Sequence, residues 1–364
     1  MRKWLIRIGS ALGLIIIALA LIILFDENDS AEVTKYVKNE DLLTVKSGWQ
    51  GTPVDRNGRF VNHEFPFLPK ITEMLKWQLS GNPQKEEKQN DKTRLTVEDP
   101  TEFLNSEKDG ILWLGHASFY IRLSGVTILI DPVFGEPSFI KKYVDVPSPV
   151  EKMRQVDYVL FSHDHRDHCD EDTIRQIAGK FPNAEFLAGL GMEDILNDWK
   201  TASNKVQTAG WFQQFDTKAE DFKIVFVPVR HWCRRGLFDT NERLWGGYVI
   251  SAGKTIYFGG DSGFGSHYRE TAEVFPEIDY FLIGIGAYQP RWFMEANHNS
   301  PEDTLKGLVD IKAEFMIPMH YGTFDLSDEP PGEPLRLLKE KSAEMNLSGK
   351  IKPLNINESL YLNE

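Results

Sequence analysis

One segment constrains the fold and chemistry of this chain more than any other. Residues 158–161 are apolar and predict a buried strand, and the following residues, 162–168, read Ser-His-Asp-His-Arg-Asp-His. A strand that ends in metal-capable side chains places them at the edge of a sheet. His163 and His165 are two positions apart, so in extended backbone both imidazoles project to one side, as two ligands of one ion require. Asp167 and His168 then point elsewhere, which suits a second ion beside the first.

The remaining metal ligands are expected at the ends of other predicted strands. Three metal-capable residues follow the strand-like runs 224–229, 255–258 and 315–318, namely His231, Asp261 and His320 in that order. Together with the first cluster they complete two sites, one formed by His163, His165 and His231 and the other by Asp167, His168 and His320. Asp261 is predicted to bridge both ions.

The order of apolar patterns predicts an α+β fold in which sheets are covered by helices. Short strand-like runs begin at Gly110, and helical patterns separate some of the later ones. The predicted strands are 111–114, 118–123, 126–130, 158–161, 224–229, 247–251, 255–258, 280–285 and 315–318, and the predicted helices are 172–181, 192–199, 300–311 and 334–345. Ser300 carries a helix start signal, with Pro301 in the first turn and Asp303 three positions on.

Composition argues against a nucleic-acid-binding protein and against a disulfide-stabilised or thiolate-zinc protein. The formal net charge of −13 and the pI of about 5.3 argue against a basic nucleic-acid-binding surface. A hydrophobic fraction of 41% and a charged fraction of 26% are ordinary for a globular protein. Cys169 and Cys233 are too few for a disulfide framework and wrongly spaced for a thiolate zinc site, so we expect two separate buried thiols.

The N-terminus predicts a membrane anchor. Residues 5–25 are almost entirely apolar, and a helix of that length rises roughly 30 Å, the thickness of a bilayer core. Arg2, Lys3 and Arg7 lie before this segment or at its start, and Asp26, Glu27 and Asp29 follow it. The positive-inside bias places the N-terminus in the cytoplasm and the catalytic domain on the non-cytoplasmic side, which is periplasmic in a bacterium. A cleaved signal peptide is the rival interpretation, although the apolar run after Ala20 makes a poor cleavage site.

The predicted domain organisation follows from this anchor. Residues 1–25 are expected to form a cytoplasmic tip and transmembrane span, residues 26–62 a tether and lead-in, and residues 63–364 the domain that carries the predicted metal ligands. The apolar pattern between Phe65 and Leu79 predicts a short helix, and the charge-rich stretch 81–99 predicts a solvated loop.

The ordered motifs resemble the metallo-β-lactamase superfamily. The resemblance runs through Asp131 in Leu-Ile-Asp-Pro, the H-x-H-x-D-H run, His231, Asp261 and His320. It implies a four-layer αβ/βα sandwich with the metals at one edge of two sheets. Longer phrases are similar to the N-acyl-phosphatidylethanolamine-hydrolysing phospholipase D family, at residues 114–117, 231–235, 244–246, 257–263, 285–294 and 320–324. The chain departs from that family in its N-terminal apolar segment and in a shorter stretch after Thr323.

The resemblance implies a specific chemistry. Two zinc ions that share Asp261 would hold a bridging hydroxide, which attacks a phosphodiester of N-acylphosphatidylethanolamine-like phospholipids. Asp131 is expected to orient ligand imidazoles, and His116 either supports the ligands or is structural. His298 matches a family position near the substrate phosphate, so we expect it to bind that phosphate or to protonate the leaving group. His63 and His267 lack such context and are predicted to lie at the surface.

The substrate is the least determined part of the sequence-based prediction. Five apolar side chains are candidates for lining an acyl channel: Trp232, Tyr288, Trp292, Phe293 and Met294. The expected partners are a phospholipid substrate and the membrane through residues 5–25, with no nucleic acid and a homodimer as one option. The alternative function is hydrolysis of a soluble lactone or sugar-phosphate ester, which the same metal core would serve. A nuclease would need a basic substrate track, which the net charge disfavours.

Overall fold

The computed structural model describes residues 32–65, 68–137, 140–200 and 203–362 of the protein. In chain order the strands are β1 (Lys35–Val37), β2 (Leu43–Thr44), β3 (Thr52–Val54), β4 (Gly110–Gly115), β5 (Ser118–Leu123), β6 (Val126–Ile130), β7 (Lys141–Lys142), β8 (Tyr158–Phe161), β9 (Glu185–Gly189), β10 (Val206–Ala209), β11 (Gln213–Gln214), β12 (Lys223–Val227), β13 (Gly247–Ala252), β14 (Lys254–Phe258), β15 (Tyr280–Gly284), β16 (Phe315–Met319), β17 (Phe324–Asp325) and β18 (Ser359–Tyr361). The helices are α1 (Ile71–Ser80), α2 (Lys85–Asn90), α3 (Thr101–Asn105), α4 (Glu171–Lys180), α5 (Glu193–Trp199), α6 (His267–Val274), α7 (Arg291–Met294), α8 (Pro301–Ile311) and α9 (Glu333–Glu344).

Two seven-stranded sheets form the centre of the molecule. The first has the order β10-β9-β8-β6-β5-β4-β18 and the second the order β16-β15-β14-β13-β12-β11-β2. In each sheet one half is parallel and the other antiparallel: β6, β8, β9 and β10 run parallel in the first, and β14, β15 and β16 in the second. Helices connect β8, β9 and β10 in the first sheet and β14, β15 and β16 in the second, as is usual for parallel strands.

The core between the sheets follows from residue alternation along the strands. In β5, Phe119 and Ile121 belong to the core shared by both sheets, whereas Tyr120 between them faces the helices on the outer side. Successive side chains of a strand point to opposite faces, so a fully apolar strand contributes to two cores. Across the gap the ring of Phe119 lies 6.2 Å from that of Phe258 in the second sheet. The sheets therefore pack face to face.

Helices cover both outer faces. Ile174 and Ile177 of α4 pack into the outer core of the first sheet, and Leu305 and Leu308 of α8 join the core of the second. The start of α8 has the predicted capping box. The Ser300 side chain accepts a hydrogen bond from the backbone N–H of Asp303, and the Asp303 carboxylate accepts one from the backbone N–H of Ser300. The resulting order of helices, sheet, sheet and helices confirms the four-layer sandwich.

The strand directions bring the predicted ligands to one edge. The H-x-H-x-D-H run follows the C-terminal end of β8, and Asp131 follows that of the parallel neighbour β6. In the second sheet Asp261 follows the end of β14 and His320 that of β16, and both strands run parallel to β15. The carboxyl ends of parallel strands share an edge, so these residues meet there although they are far apart in sequence. We call this edge the metal edge.

The structure differs from the sequence-based prediction in two segments. Within the stretch predicted as a tether and lead-in, 26–62, the described residues contain three short strands, and β2 pairs with β11 of the second sheet. Within the stretch predicted as a solvated loop, 81–99, residues Lys85–Asn90 form the helix α2. The three strands are only two or three residues long, and α2 consists of six polar residues, so none of these elements has the periodic apolar signal on which the prediction depends.

The predicted membrane span, residues 5–25, lies outside the described residues. Among the described helices none combines the length and the apolar character needed to cross a bilayer.

Candidate metal centre

The first predicted ligand set comes together at the metal edge. Nε2 of His163 lies 2.9 Å from Nδ1 of His165, and Nε2 of His231 lies 3.2 Å from that same atom. A tetrahedral zinc site with metal–nitrogen bonds of about 2.0–2.1 Å has its nitrogen ligands roughly 3.3 Å apart. These three side chains and Asp261 offer ligand atoms that all lie within 4.8 Å of one another. The predicted projection of His163 and His165 to one side is therefore observed.

The second predicted ligand set lies beside the first. Oδ2 of Asp167 is 3.6 Å from Nε2 of His168 and 3.5 Å from Nε2 of His320. His116 belongs to the same group, because its Nε2 lies 3.0 Å from the same carboxylate oxygen. Ligand atoms of these four residues also lie within 4.8 Å of one another.

Asp261 lies between the two groups. Its Oδ1 is 3.0 Å from Nε2 of His320, and its Oδ2 is 3.2 Å from Nε2 of His168 and 3.8 Å from Nε2 of His231. This is the position that the sequence predicts for a bridging ligand. The preceding Gly260 has φ +52°, and a Cβ atom there would lie 2.9 Å from Cβ of Ser162, so only glycine allows this close approach without strain.

The hydrogen-bond partners of the ring nitrogens indicate an arrangement that fits a metal ion. Nδ1 of His231 lies 3.1 Å from the carbonyl oxygen of Asn297, which can only accept a hydrogen bond, so Nδ1 carries the proton and Nε2 presents a lone pair. Nδ1 of His163 lies 2.9 Å from the Ser162 hydroxyl, whose own proton is donated to Asp131. Nε2 of His163 is therefore also a lone pair. Two buried imidazole lone pairs that converge on one point form the donor set that zinc takes in histidine sites.

The charges of the centre lead to the same conclusion. Burial and the surrounding imidazoles hold the pKa of His163 well below the ordinary histidine value. Burial also opposes the charged form of His168, but the carboxylates of Asp261 and Asp167 outweigh it and raise its pKa well above that value. The two buried carboxylates thus demand compensating positive charge, which a divalent cation can supply in place of protons.

Asp131 contacts His168 on the side of the ring that faces away from the centre. Its Oδ2 lies 2.8 Å from Nδ1 of His168 and accepts the Ser162 hydroxyl at 2.5 Å, and its Oδ1 accepts the backbone N–H of Ser162 at 2.7 Å. The carboxylate is fully buried. Its contact with His168 leaves Nε2 of that ring to face the centre, which is the orienting role that the sequence predicts for Asp131.

Three residues at the metal edge have strained backbone. His116, Asp131 and His320 all have positive φ, at 50°, 40° and 61°. The backbone N–H of His320 donates to the carbonyl of His116 at 3.0 Å, which ties the two strained turns together. Positive φ is unfavourable for residues with a Cβ atom and persists only where the surroundings impose it. The fold thus stabilises an arrangement that these residues would not adopt by themselves.

His298 lies at the rim of the centre. Its Nδ1 is 3.8 Å from Oδ2 of Asp261, and its side chain is 17% exposed. The backbone N–H of His298 donates to the carbonyl of Met294, so α7 positions it. Burial lowers the pKa of His298 to about 4. A ring at this place can reach both the centre and a molecule that enters from solvent.

Of the five predicted channel residues, Trp232 lies next to the predicted ligands. Its ring centroid is 4.7 Å from that of His165, and the Arg234 guanidinium lies 5.5 Å from the Trp232 ring. Trp232 is partly exposed. Trp232 therefore lies between the first ligand set and solvent, where it can contact a bound substrate.

The other four predicted channel residues lie before or in α7. Tyr288 is buried, and its hydroxyl donates to Glu333 at 2.5 Å. Met294 is also buried, Phe293 packs against Trp77 of α1 at 5.2 Å, and Trp292 is 48% exposed. Their role in binding acyl chains stays a prediction.

Four features of the site escaped the sequence-based prediction. The Asn297 carbonyl supports His231, and the Thr323 hydroxyl accepts the backbone N–H of His116. Arg235 donates to the carbonyls of Asp164 and Cys169 at either end of the ligand run. His267, predicted at the surface, is 3% exposed and lies 3.1 Å from the Ser262 hydroxyl. A single sequence has no periodic signal for such polar contacts.

The two cysteines are buried free thiols, as the sequence predicts. Burial raises the pKa of Cys169 far above the ordinary thiol value. A thiol of this kind is chemically inert.

Two packed sheets with a histidine and aspartate centre on their common edge define a metal-dependent hydrolase of the metallo-β-lactamase type. The model of the beta-lactamase superfamily domain matches residues 126–321, and the chain belongs to this family.

The chain is also similar to proteins whose names state an activity. The chain is 33% identical over 242 residues to N-acyl-phosphatidylethanolamine-hydrolyzing phospholipase D 1 of Caenorhabditis elegans, a match that covers 63% of this chain and 68% of the relative. It is 28% identical over 244 residues to the mitochondrial protein of that activity in Saccharomyces cerevisiae, covering 63% of this chain and 51% of the relative. A metallo hydrolase from Ignicoccus hospitalis superposes with a TM-score of 0.54 at 20% identity, over 71% of this chain and 99% of that one. The last likeness shows the fold alone.

Proposed function

We propose that the protein is a binuclear zinc phospholipase D that cleaves a phosphodiester bond of N-acylphosphatidylethanolamine-like phospholipids. The observation that carries this proposal is the position of Asp261, whose two oxygens face His320 on one side and His231 on the other. Two divalent ions bound by these groups would activate water and neutralise charge on a phosphoryl group. The similarity to the Caenorhabditis elegans relative, whose name states this substrate, supports the lipid assignment.

The side chains around the centre define what the protein itself contributes. Asp131 and the Asn297 carbonyl fix the rings of His168 and His231, so their lone pairs need no reorganisation when substrate binds. His298, at the rim, is within reach of a phosphate that contacts the centre, and we assign it to binding that phosphate or donating to the leaving oxygen. Trp232 supplies partly exposed apolar surface beside His165. This arrangement suits a substrate with a phosphate and acyl chains.

We further propose that residues 5–25 anchor the enzyme in a membrane with the catalytic domain on the non-cytoplasmic side. The support is the apolar run itself and the placement of Arg2, Lys3 and Arg7 at its N-terminal end. An anchor of this kind keeps the site close to a two-dimensional pool of lipid.

The decisive experiment is an assay of the full-length protein, loaded with zinc in detergent, against phospholipids that differ in headgroup and N-acylation. The expected products are phosphatidic acid and the headgroup alcohol, identified by mass spectrometry. In ¹⁸O-labelled water, attack at phosphorus places the label in phosphatidic acid, whereas attack at carbon would place it in the alcohol. Removal of metal with a chelator should stop the reaction, and zinc should restore it. Label in the alcohol would contradict the proposed mechanism.

One observation favours a second candidate, a hydrolase of a soluble lactone or sugar-phosphate ester. The cavity next to His320, lined by Tyr143, Ala287 and Phe324 among others, has a volume of about 20 Å³. That volume holds about one water molecule. Turnover of a soluble ester or lactone, combined with no cleavage of any phospholipid, would replace the first proposal with this one.

A further inference from the structure

A basic groove lies next to the metal edge, outside the site described so far. It has a volume of about 650 Å³ and is lined by one arginine, four lysines and two aspartates, together with neutral residues. The charged lining residues are Lys85, Lys88, Lys92, Arg94, Lys141, Asp91 and Asp325. We call it the lysine groove. Its local excess of cations contrasts with the net charge of −13 of the whole chain.

The two carboxylates of the lysine groove already have partners. Asp325 pairs with Lys88, which also donates to the carbonyl of Ser327. Asp91 accepts the backbone N–H groups of Thr93 at 2.7 Å and Gly332 at 2.8 Å. Among the described residues no carboxylate lies within 4.0 Å of the charged nitrogens of the other four cations, Lys85, Lys92, Arg94 and Lys141. These four side chains are exposed. Lys92 donates to the carbonyl of Gln89 at 2.8 Å and Arg94 to that of Thr93 at 2.6 Å, and both retain further N–H groups that can contact an anion.

The cations converge because of local geometry. Lys85 and Lys88 are three positions apart in α2, which places them on one face of the helix. Lys92 follows the end of α2, after Asp91 in extended backbone, and lines the same groove. The Arg94 guanidinium lies 5.4 Å from the Tyr143 ring. Lys141 is brought to the same groove by the pairing of β7 with β17. The lining therefore combines segments far apart in sequence.

The lysine groove is a neighbour of the metal edge. Tyr143 lines both the lysine groove and the cavity that contains His320. The backbone N–H of Tyr143 donates to the carbonyl of Thr323, three residues after His320. An anion held in the groove would therefore lie close to the cavity beside His320.

The surroundings of the groove favour a lipid headgroup over a free anion. Helix α1, which precedes the groove, has no buried residue, and its Leu79 is 85% exposed. On α7, against which α1 packs, Trp292 is 48% exposed, with the Lys76 ammonium 4.5 Å from its ring. Exposed apolar and cationic side chains side by side are typical of surfaces that lie on anionic membranes. A free phosphate site would instead need buried donors, and the four available cations are all exposed.

We propose that the lysine groove binds the phosphate headgroups of anionic phospholipids at a membrane surface. This deepens the proposed function, on which it rests, because it orients the metal edge toward the lipid layer that holds the substrate. The distant acidic residues do not prevent it, because charges farther apart than about 8 Å are largely screened at physiological ionic strength.

The test uses the full-length protein in neutral-detergent micelles that contain either phosphatidylglycerol or phosphatidylcholine. Both lipids carry a phosphate, but only phosphatidylglycerol is anionic, and the bound lipid per chain is counted by native mass spectrometry. The groove variant is Lys85→Gln/Lys92→Gln/Arg94→Gln. The matched control is Lys218→Gln/Lys223→Gln/Lys312→Gln, which removes the same charge from three exposed lysines. Lys218 precedes β12, Lys223 begins β12 and Lys312 precedes β16, so all three lie at the ends of the strands opposite to the metal edge.

The groove variant should bind phosphatidylglycerol at least tenfold more weakly than the wild type, because each cation near an anionic surface contributes about fivefold. The control should stay within about twofold, and binding of phosphatidylcholine should not change in either. The charge-preserving variant Lys85→Arg/Lys92→Arg should bind like the wild type. Equal losses in the groove variant and the control would overturn the proposal. Inorganic phosphate that bound as tightly as phosphatidylglycerol would overturn the lipid assignment.

The experiments distinguish failure of the groove proposal from failure of the proposed substrate. If no phospholipid is hydrolysed while binding of phosphatidylglycerol still depends on the groove, the substrate assignment falls and the groove is supported. If phospholipid is hydrolysed while binding is insensitive to the groove variant, the groove proposal alone is overturned.

Discussion

The Arg243 guanidinium lies 3.1 Å from the carboxylate of Asp164, a fully buried residue between the predicted ligands His163 and His165. Arg243 also pairs with Asp239 at 2.7 Å and with Asp194 at 2.8 Å. One guanidinium therefore connects the ligand run to two other segments of the chain. A buried carboxylate is tolerated only with such a partner, so the geometry of the ligand run depends on this contact.

Replacing Arg243 by Met should destabilise the protein by about 3–5 kcal/mol, because it leaves the Asp164 charge buried and unpaired. The measurement is the free energy of unfolding of metal-free protein in denaturant. Arg269 provides a matched control, since it pairs with Asp310 at 3.1 Å but is 66% exposed. Arg269→Met should change stability by less than about 1 kcal/mol. Equal effects of the two substitutions would contradict the structural role of Arg243.

Replacing Asp261 by Asn should weaken the binding of both metal ions together and abolish hydrolysis of every substrate. The reason is that one carboxylate faces both ligand groups, and an amide cannot supply its negative charge. Elemental analysis should give two ions per chain for the wild type and for the control Asp310→Asn. A wild type that tightly holds a single ion, with His320 free of metal in an experimental structure, would refute the binuclear centre.

Replacing Asp131 by Asn should lower metal affinity by about 10- to 100-fold at the site that contains His168, the usual effect of removing a residue that orients a ligand. Asn tolerates the positive φ of this position, so the backbone should be preserved. The control is Asp157→Asn at the other end of the same strands, where the carboxylate accepts the Thr127 N–H at 2.9 Å. The measurement is competitive titration of zinc against a chelator. An unchanged affinity in Asp131→Asn would mean that His168 needs no such support.

Replacing His298 by Ala should leave the metal content unchanged and reduce kcat by about 10²- to 10⁴-fold if the ring transfers a proton. If it only binds the substrate phosphate, KM should rise while kcat changes little. His63→Ala is the control, because His63 contacts Glu270 and has no contact with the proposed ligands. Full activity of His298→Ala on the best phospholipid would remove His298 from the site and leave the metal chemistry intact.

The orientation in the membrane can be measured directly. A reporter active only outside the cytoplasm, fused after Glu364, should be active in the full-length protein, because basic residues precede the apolar segment 5–25 and acidic residues follow it. Replacing Arg2, Lys3 and Arg7 by Glu should reduce that activity. A reporter active only in the cytoplasm would show that the predicted orientation is wrong.

The sequence by itself determined the features that depend on local spacing. The separation of His163 and His165 places their rings together, and the Ser300 capping signal begins α8 at the predicted residue. The central strands β5, β6 and β8 begin and end where the apolar runs do. These features are predictable because strand alternation and helix capping act over a few residues, where the sequence order is also the spatial order.

Only the tertiary structure decided which distant polar groups support the centre. Arg243 contacts Asp164 across 79 positions, and the Asn297 carbonyl contacts His231 across 66. The pairing of β2 with β11 and the assembly of the lysine groove from α2 and β7 are likewise non-local. The partner of a single polar residue cannot be predicted from sequence periodicity. Such contacts form only when the apolar strands have packed and their ends have met at one edge.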